Sequence, residues 1–178
     1  KFVGNKKVSA TELKDEISLK KGDIYVASNQ LLDERRIREL YLQKGYTNVK
    51  VSSNVTTDDS GVTVTFEISE GKPTIVTSIQ FTGNEVVASK TLKGLFSLKE
   101  ASLLQKGAFQ ETYLEADKQA ILRYYQDRGY VDVSIVDVVR QVNYNADKDQ
   151  DELTLIFQIK EGSQLNYGGM VISGNTIF

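Results

Sequence analysis

The feature that most constrains this chain is that it repeats itself. An apolar, strand-forming pair ending in Gly-Asn occurs as Phe2-Val3-Gly4-Asn5, as Ile79-Gln80-Phe81-Thr82-Gly83-Asn84, and as Val171-Ile172-Ser173-Gly174-Asn175. Between these marks other pairs match in order. Lys106-Gly107 follows Lys21-Gly22 at a shift of 85, Gly129-Tyr130 follows Gly45-Tyr46 at 84, and Phe157-x-Ile159-x-Glu161-Gly162 follows Phe66-x-Ile68-x-Glu70-Gly71 at 91. A self-similar period means an array of like units. The shift changes through an insertion near Leu95 to Gln105, a one-residue deletion and a longer hairpin near Asn143 to Glu152. Such changes belong to connections rather than to elements.

Within a unit the order reads strand, helix, helix, strand, strand. Ser9 is placed to cap the first helix, with Glu12 three residues on and Val8 and Leu13 as an apolar staple. The second copy keeps Val87 and Leu92, with Ser89 as the nearest cap. A second helix spans about Ser28 to Lys44, with Ile37, Leu40, Tyr41 and Lys44 as its buried stripe. Its counterpart, from about Gln110 to Arg128, carries Leu114, Ile121, Tyr124 and Tyr125. Gly45 and Gly129 stand where a helix ends in a left-handed residue, and the tyrosine after each folds back on the last turn.

Two alternating strands close each unit. Val49, Val51, Ser53 and Val55 share one face, as do Val62, Val64, Phe66 and Ile68 across the Asp58-Asp59-Ser60-Gly61 turn. Alternation means one packed and one wet face, which two helices on a single side would produce. In unit two the phase slips: Val131, Val133 and Ile135 lie on one register and Val136, Val138 and Val142 on the other. A β-bulge at Ile135-Val136 would return both sets to the core. Short connections at Lys72-Pro73, the only proline, and at Ser163-Gln164 form the interdomain hinge and restrict the angle between units.

Composition excludes several kinds of function. A net charge of -2 and a pI near 5.3 give no reason for a nucleic-acid surface. With no His and no Cys, the usual general base, nucleophile and metal ligands are missing. Asp147-x-Asp149-x-Asp151 resembles the start of a calcium loop, yet Glu152 and Gln158 stand where glycine and glutamate are needed. The Gly-Asn pairs fit no phosphate-loop pattern. Tyr124 and Tyr125 are read as core rather than as a stacking platform. The expectation is therefore a non-enzyme with no metal and no cofactor. What remains is backbone, because a three-stranded sheet has open edges that can accept an added strand.

The strand order, Gly4-Asn5 and Gly83-Asn84 after the first strands, Gly45-Tyr46 and Gly129-Tyr130 after the second helices, and Glu70-Gly71 and Glu161-Gly162 at the unit ends together resemble the POTRA family. In tandem, the units are similar to those of the BamA family of outer-membrane protein assembly factors. The resemblance implies an α+β fold of tandem POTRA domains, each β-α-α-β-β with two helices packed on one face of a three-stranded mixed sheet. It divides the chain into domains over 1–72, with its first strand truncated, and 73–163, while 164–178 opens a third. It implies a periplasmic location as the soluble part of an outer-membrane protein whose own C-terminal membrane β-barrel lies outside this sequence. Implied partners are unfolded outer-membrane proteins and assembly lipoproteins. The second strand of each unit would be the binding edge: Val49, Val51, Ser53 and Val55 in one, Val131, Val133, Ile135, Val136 and Val138 in the other. A bulge there is similar to one at a partner-binding edge in some family members. Proline at Val133 is expected to block strand addition. The alternative is the POTRA region of a secretion or protein-import transporter that recognises a dedicated substrate.

Overall fold

The computed structural model describes residues 1–59 and 61–169. Unit one comprises β1 (Phe2–Val3), α1 (Ala10–Glu16), α2 (Ala27–Gln43), β2 (Lys50–Asp58) and β3 (Gly61–Ser69). Unit two repeats this with β4 (Thr74–Thr82), α3 (Ser89–Gly94), α4 (Glu111–Gln126), β5 (Ser134–Asn145) and β6 (Gln150–Lys160). The sheets run β1-β3-β2 and β4-β6-β5, so the last strand of each unit is central. It lies antiparallel to its hairpin partner and parallel to the first strand, and the helix pair supplies the long crossover a parallel neighbour requires. The third Gly-Asn, at Gly174-Asn175, lies outside the described residues.

Each unit buries its own core between sheet and helices, one around Tyr41, Ile37 and Phe66, the other around Tyr125, Ile121 and Phe157. The motifs that carry the repeat converge on one carboxylate per core. Glu70, at the end of β3, accepts from the Tyr41 hydroxyl on α2 and from the Lys7 amide in the loop after β1, both at 2.7 Å. Glu161 accepts from the Tyr125 hydroxyl at 2.7 Å and from the amides of Glu85, Val86 and Val87 at 3.0–3.4 Å. The same loops are tied by their asparagines: Asn5 Nδ2 donates to the Val8 carbonyl at 3.0 Å and Asn84 Nδ2 to that of Val87 at 2.8 Å. The preceding glycine is required by contact. A Cβ on Gly83 (φ 76°) would sit 2.0 Å from the Ile159 carbonyl oxygen, and one on Gly4 (φ 88°) equally close to that of Ile68.

At the ends of α2 and α4 the bonds Gly45 N to Leu42 O and Tyr46 N to Tyr41 O recur as Gly129 N to Gln126 O and Tyr130 N to Tyr125 O. This is a Schellman closure. It sets Tyr46 edge-on to Tyr41 and Tyr130 edge-on to Tyr125, with centroids 5.7 and 5.9 Å apart. Burial and the glutamate bond both push the Tyr41 and Tyr125 hydroxyls far above their ordinary range, so both remain donors.

Local expectations are corrected at several points. Ser9 caps α1, accepting from the Glu12 amide at 3.2 Å, but the Glu12 carboxylate goes to Lys44 at 2.7 Å. Lys44 is therefore exposed rather than part of the buried stripe, its ammonium drawn out to that partner. Ala88, not Ser89, is the N-cap of α3, and Ser89 meets Asn84 instead. Tyr124 is half-buried beneath the Arg128 guanidinium, 3.5 Å from its ring centroid.

Buried Asp33 and Asp117 were not anticipated. Asp33 accepts from the amides of Ser18 and Leu19 at 2.7 and 3.0 Å, Asp117 from those of Ser97 and Leu98 at 2.6 and 2.9 Å. Each second helix thereby fixes the chain leaving the first. Burial raises the Asp117 carboxyl above the usual carboxylate range against the pull of those amides.

Glu161 keeps three amide partners without its tyrosine, whereas Glu70 keeps one. Tyr125→Phe is expected to cost about 1.5 kcal/mol and Tyr41→Phe about 3 kcal/mol, the range for bonds to charged groups. Urea unfolding with one probe in each unit would check both the loss and its order.

Candidate functional site: the open sheet edges and the joint

Sheet order puts β2 and β5, the predicted second strands, at an edge of each sheet. The side chains of Val51, Ser53 and Val55 turn toward the helices and are half-buried, while Val49 is buried just ahead of the strand. Ser53 donates to Glu34 and accepts from Gln30 Nε2 at 2.5 Å, both on α2. These side chains serve their own unit, and what β2 turns outward is main chain.

On β5 the phase slip is a bulge. Ile135 faces Ile159 and Asp137 faces Gln158, which leaves Val136 without an opposite residue. Ile135 and Val138 pack on the core through this shift. Val136 itself turns out, 66% exposed, as does Val142 on the far stretch at 56%. Only part of the apolar set therefore returns to the core. Val131 and Val133 precede the strand: Val131 is exposed, and Val133 is buried with its amide bonded to the Tyr130 carbonyl at 3.3 Å. Proline at Val133 would break that turn and the core packing, so it is no probe of the edge.

The opposite edges differ. β1 has two residues. β4 has nine, and the segment that is longer in unit two runs along it. Ala101 N donates to Val76 O at 2.7 Å, Val76 N to Gly107 O at 2.7 Å and Phe109 N to Thr74 O at 3.0 Å, while Ile75 and Ala108 form an antiparallel bridge. Glu100 takes the Ile79 amide at 2.6 Å and the Lys93 ammonium at 2.7 Å. The insertion thus occupies the β4 edge and leaves β5 as the long exposed edge of this sheet among the described residues. Ser97-Leu98 still match Ser18-Leu19 at a shift of 79, which confines the added residues to the stretch after Leu98.

The hinge residues are tied down. The Lys72 ammonium lies 3.3 Å above the Tyr144 ring centroid and 3.4 Å from Asp149, to which Tyr144 also donates at 2.9 Å. The Tyr144 hydroxyl and Lys72 hold the Asp149 carboxyl below the usual carboxylate range. Asp149 adopts φ 49° at the tip of the longer hairpin, so the second departure in length reaches back to grip the linker. Pro73 O accepts from Asp151 N at 2.9 Å, and the Gln164 side chain donates to Arg128 O at 2.9 Å; Ser163 is exposed. Gly45 O receives Thr74 N at 2.8 Å, and Gly129 O receives Leu165 N at 2.9 Å. The helix-ending glycines therefore dock the chain entering the next unit, a role their reading as terminators missed. The clue was available, since Leu165 follows Thr74 at the 91-residue shift.

Beside the joint, a cleft of about 930 Å³ opens between the end of α2 (Leu42, Gln43), the start of α4 (Glu111, Tyr113) and the β5 side chains Arg140 and Val142. Arg140, on the lining, makes a two-pronged bond to Glu111 at 2.6 and 3.0 Å. No group of three His, Cys, Asp or Glu among the described residues is arranged to hold a metal ion.

Lys72→Met should leave each unit's stability within about 0.5 kcal/mol, as for an exposed pair, while ¹⁵N relaxation shows the units tumbling more independently. Burial opposes ionisation of Glu100, but Lys93 and the Ile79 amide outweigh it and hold the carboxyl below its ordinary range. Its hold on β4 is thus present above about pH 4.3, the ordinary glutamate value, and lost as pH falls through the lower folded value. The Ile79 amide shift should titrate below that pH.

Comparison with known proteins agrees with this architecture. The model of the POTRA family, described as "Surface antigen variable number repeat", matches residues 1–71 and again 74–162. A Treponema pallidum (strain Nichols) protein described as an outer membrane protein assembly factor is 42% identical over 178 residues, all of this chain and 21% of that protein. Outer membrane protein assembly factor BamA of Neisseria meningitidis serogroup B is 30% identical over 145 residues, 79% of this chain and 18% of that protein. The chain spans about a fifth of the length of these curated relatives. Among solved structures, Haemophilus influenzae BamA POTRA3-5 superposes with a TM-score of 0.58 at 22% identity, covering 98% of this chain and 71% of that one. With the family matched over both units and the fold shared with its solved members, the chain belongs to the POTRA family, as tandem POTRA domains of the BamA/Omp85 type.

Proposed function

We propose that this chain is a periplasmic interaction module of an outer-membrane β-barrel assembly machine, and that it holds extended segments of unfolded outer-membrane proteins by strand addition. The observation that carries the reading is the asymmetry of unit two: β4 is covered by the chain's own insertion, while the 12-residue β5 keeps its outer main chain exposed. An added strand gains backbone hydrogen bonds whatever its side chains, which suits a client set of many sequences. Arg140 and Val142 carry this edge into the cleft, where alternate side chains of an added strand would find Leu42 and Tyr113. β2 offers a second edge of nine residues in unit one.

The names of the relatives support the setting. Two carry the words outer membrane protein assembly factor in their names, and the solved neighbour is the POTRA region of a BamA. In that setting the chain would precede a membrane β-barrel and meet assembly lipoproteins, with no catalytic step of its own. No helix among the described residues is long and apolar enough to cross a membrane.

The test uses peptides copied from barrel strands, titrated into the ¹⁵N-labelled chain. Amide shifts should concentrate on Ser134 to Asn145, with affinity in the weak range of a short ordered strand. Methylating every peptide nitrogen should abolish binding, because the added strand holds the edge through its N–H groups. Binding that survives methylation of every nitrogen would rule out strand addition.

A further inference from the structure

The insertion ends in a tight turn, with Ser102 N donating to Gln105 O at 2.9 Å, and its two central residues are Leu103 and Leu104. They are exposed at 105% and 97%, far beyond the other adjacent leucine pair, Leu31 and Leu32, at 57% and 42%. A loose loop would spread such side chains over its own unit. This one cannot, because its two stems are fixed to β4 through Ala101 and Gly107. The leucines are held out on a firm stalk, so the cost of ordering them is met by the fold.

The surroundings carry one sign of charge. Lys99 precedes the turn with its ammonium on the Phe96 carbonyl, Lys106 follows it, and Glu100, the sole carboxylate between residues 99 and 109, is neutralised by Lys93 at 2.7 Å. In a chain of net charge -2, this leaves the stems of an apolar tip locally positive. Such a pairing matches an anionic phospholipid surface, where leucine side chains enter the headgroup–acyl boundary and the Lys106 ammonium reaches the phosphates. A folded protein partner would need a recess for two leucines and gives no reason for the lysines.

We propose that the turn at Leu103-Leu104 is a membrane-contact tip that engages an anionic phospholipid surface. Two leucines bind weakly alone, so the contact orients a domain already held near a membrane rather than recruiting it from solution. The inference is independent of strand addition at β5.

The test is solution NMR of the whole 178-residue chain with vesicles of phosphatidylglycerol and phosphatidylcholine carrying a small share of spin-labelled lipid. Expected is attenuation confined to amides 99–107, lost at high salt and with vesicles of phosphatidylcholine alone. The double variant Leu103→Ser, Leu104→Ser should lower partitioning about tenfold or more, and an otherwise unchanged spectrum would show that it folds. Three results would overturn the proposal: no attenuation at the tip, attenuation that survives the double variant, or concentration-dependent broadening of the tip without lipid, which would mark a self-association patch. Peptide shifts on β5, read in the same samples without vesicles, report separately on strand addition.

Discussion

Everything in each unit hangs on a carboxylate placed where the central strand stops. Glu70 and Glu161 each join three parts distant in sequence: the strand that carries them, the loop leaving the first strand, and the tyrosine of the second helix. A charge drawn out of water, fully at Glu70 and partly at Glu161, is tolerable only with its donors in place, so one residue makes strand, loop and helix positions mutually dependent. The glycine ahead of each asparagine has the same logic. It lets the loop approach the central strand closely enough for the amides to reach the carboxylate. The repeat persists in sequence at the points where this geometry leaves no substitute.

The legibility of the chain follows from the same cause. Gly-Asn, Gly-Tyr and Glu-Gly were visible as repeats because they carry backbone conformations and one buried contact that few residues satisfy. Read one at a time, however, they were only turns and helix ends, since a sequence does not say that Tyr41 points at Glu70. The β5 bulge was legible because alternation has a phase, and a slip between Ile135 and Val136 has few structural meanings. Its outward turn at Val136 was not, because period alone does not say which residue is left unpaired.

Asp33 and Asp117 were missed through a sound general expectation, that a helical carboxylate faces water. Their match at a shift of 84, beside Ser18-Leu19 and Ser97-Leu98 at 79, was present in the numbers. The insertion was legible as length but not as an edge cover, because main-chain pairing along β4 leaves no side-chain signature. The hinge suffered the opposite error. A short linker with proline suggested restriction, but a restraint also comes from Tyr144 and Asp149, about seventy residues away in a hairpin weighed only as a calcium loop.

That hairpin links the two parts of the site. Tyr144 lies near the end of β5, and its ring carries the Lys72 ammonium of the linker. A chain added along the full length of β5 must lie beside the strand that holds this contact, and the twist of β5 cannot change there without moving the ring against the ammonium. The other joint contacts, Gly45 with Thr74 and Pro73 with Asp151, belong to the β4 and β6 side and are shielded from the edge by the central strand. Within the fold, and beside any direct contact of an added strand with Leu42, occupancy of β5 therefore reaches the angle between units through one exposed cation over one ring. Contacts of that kind are weak at an exposed site, so the coupling is a bias on orientation rather than a lock.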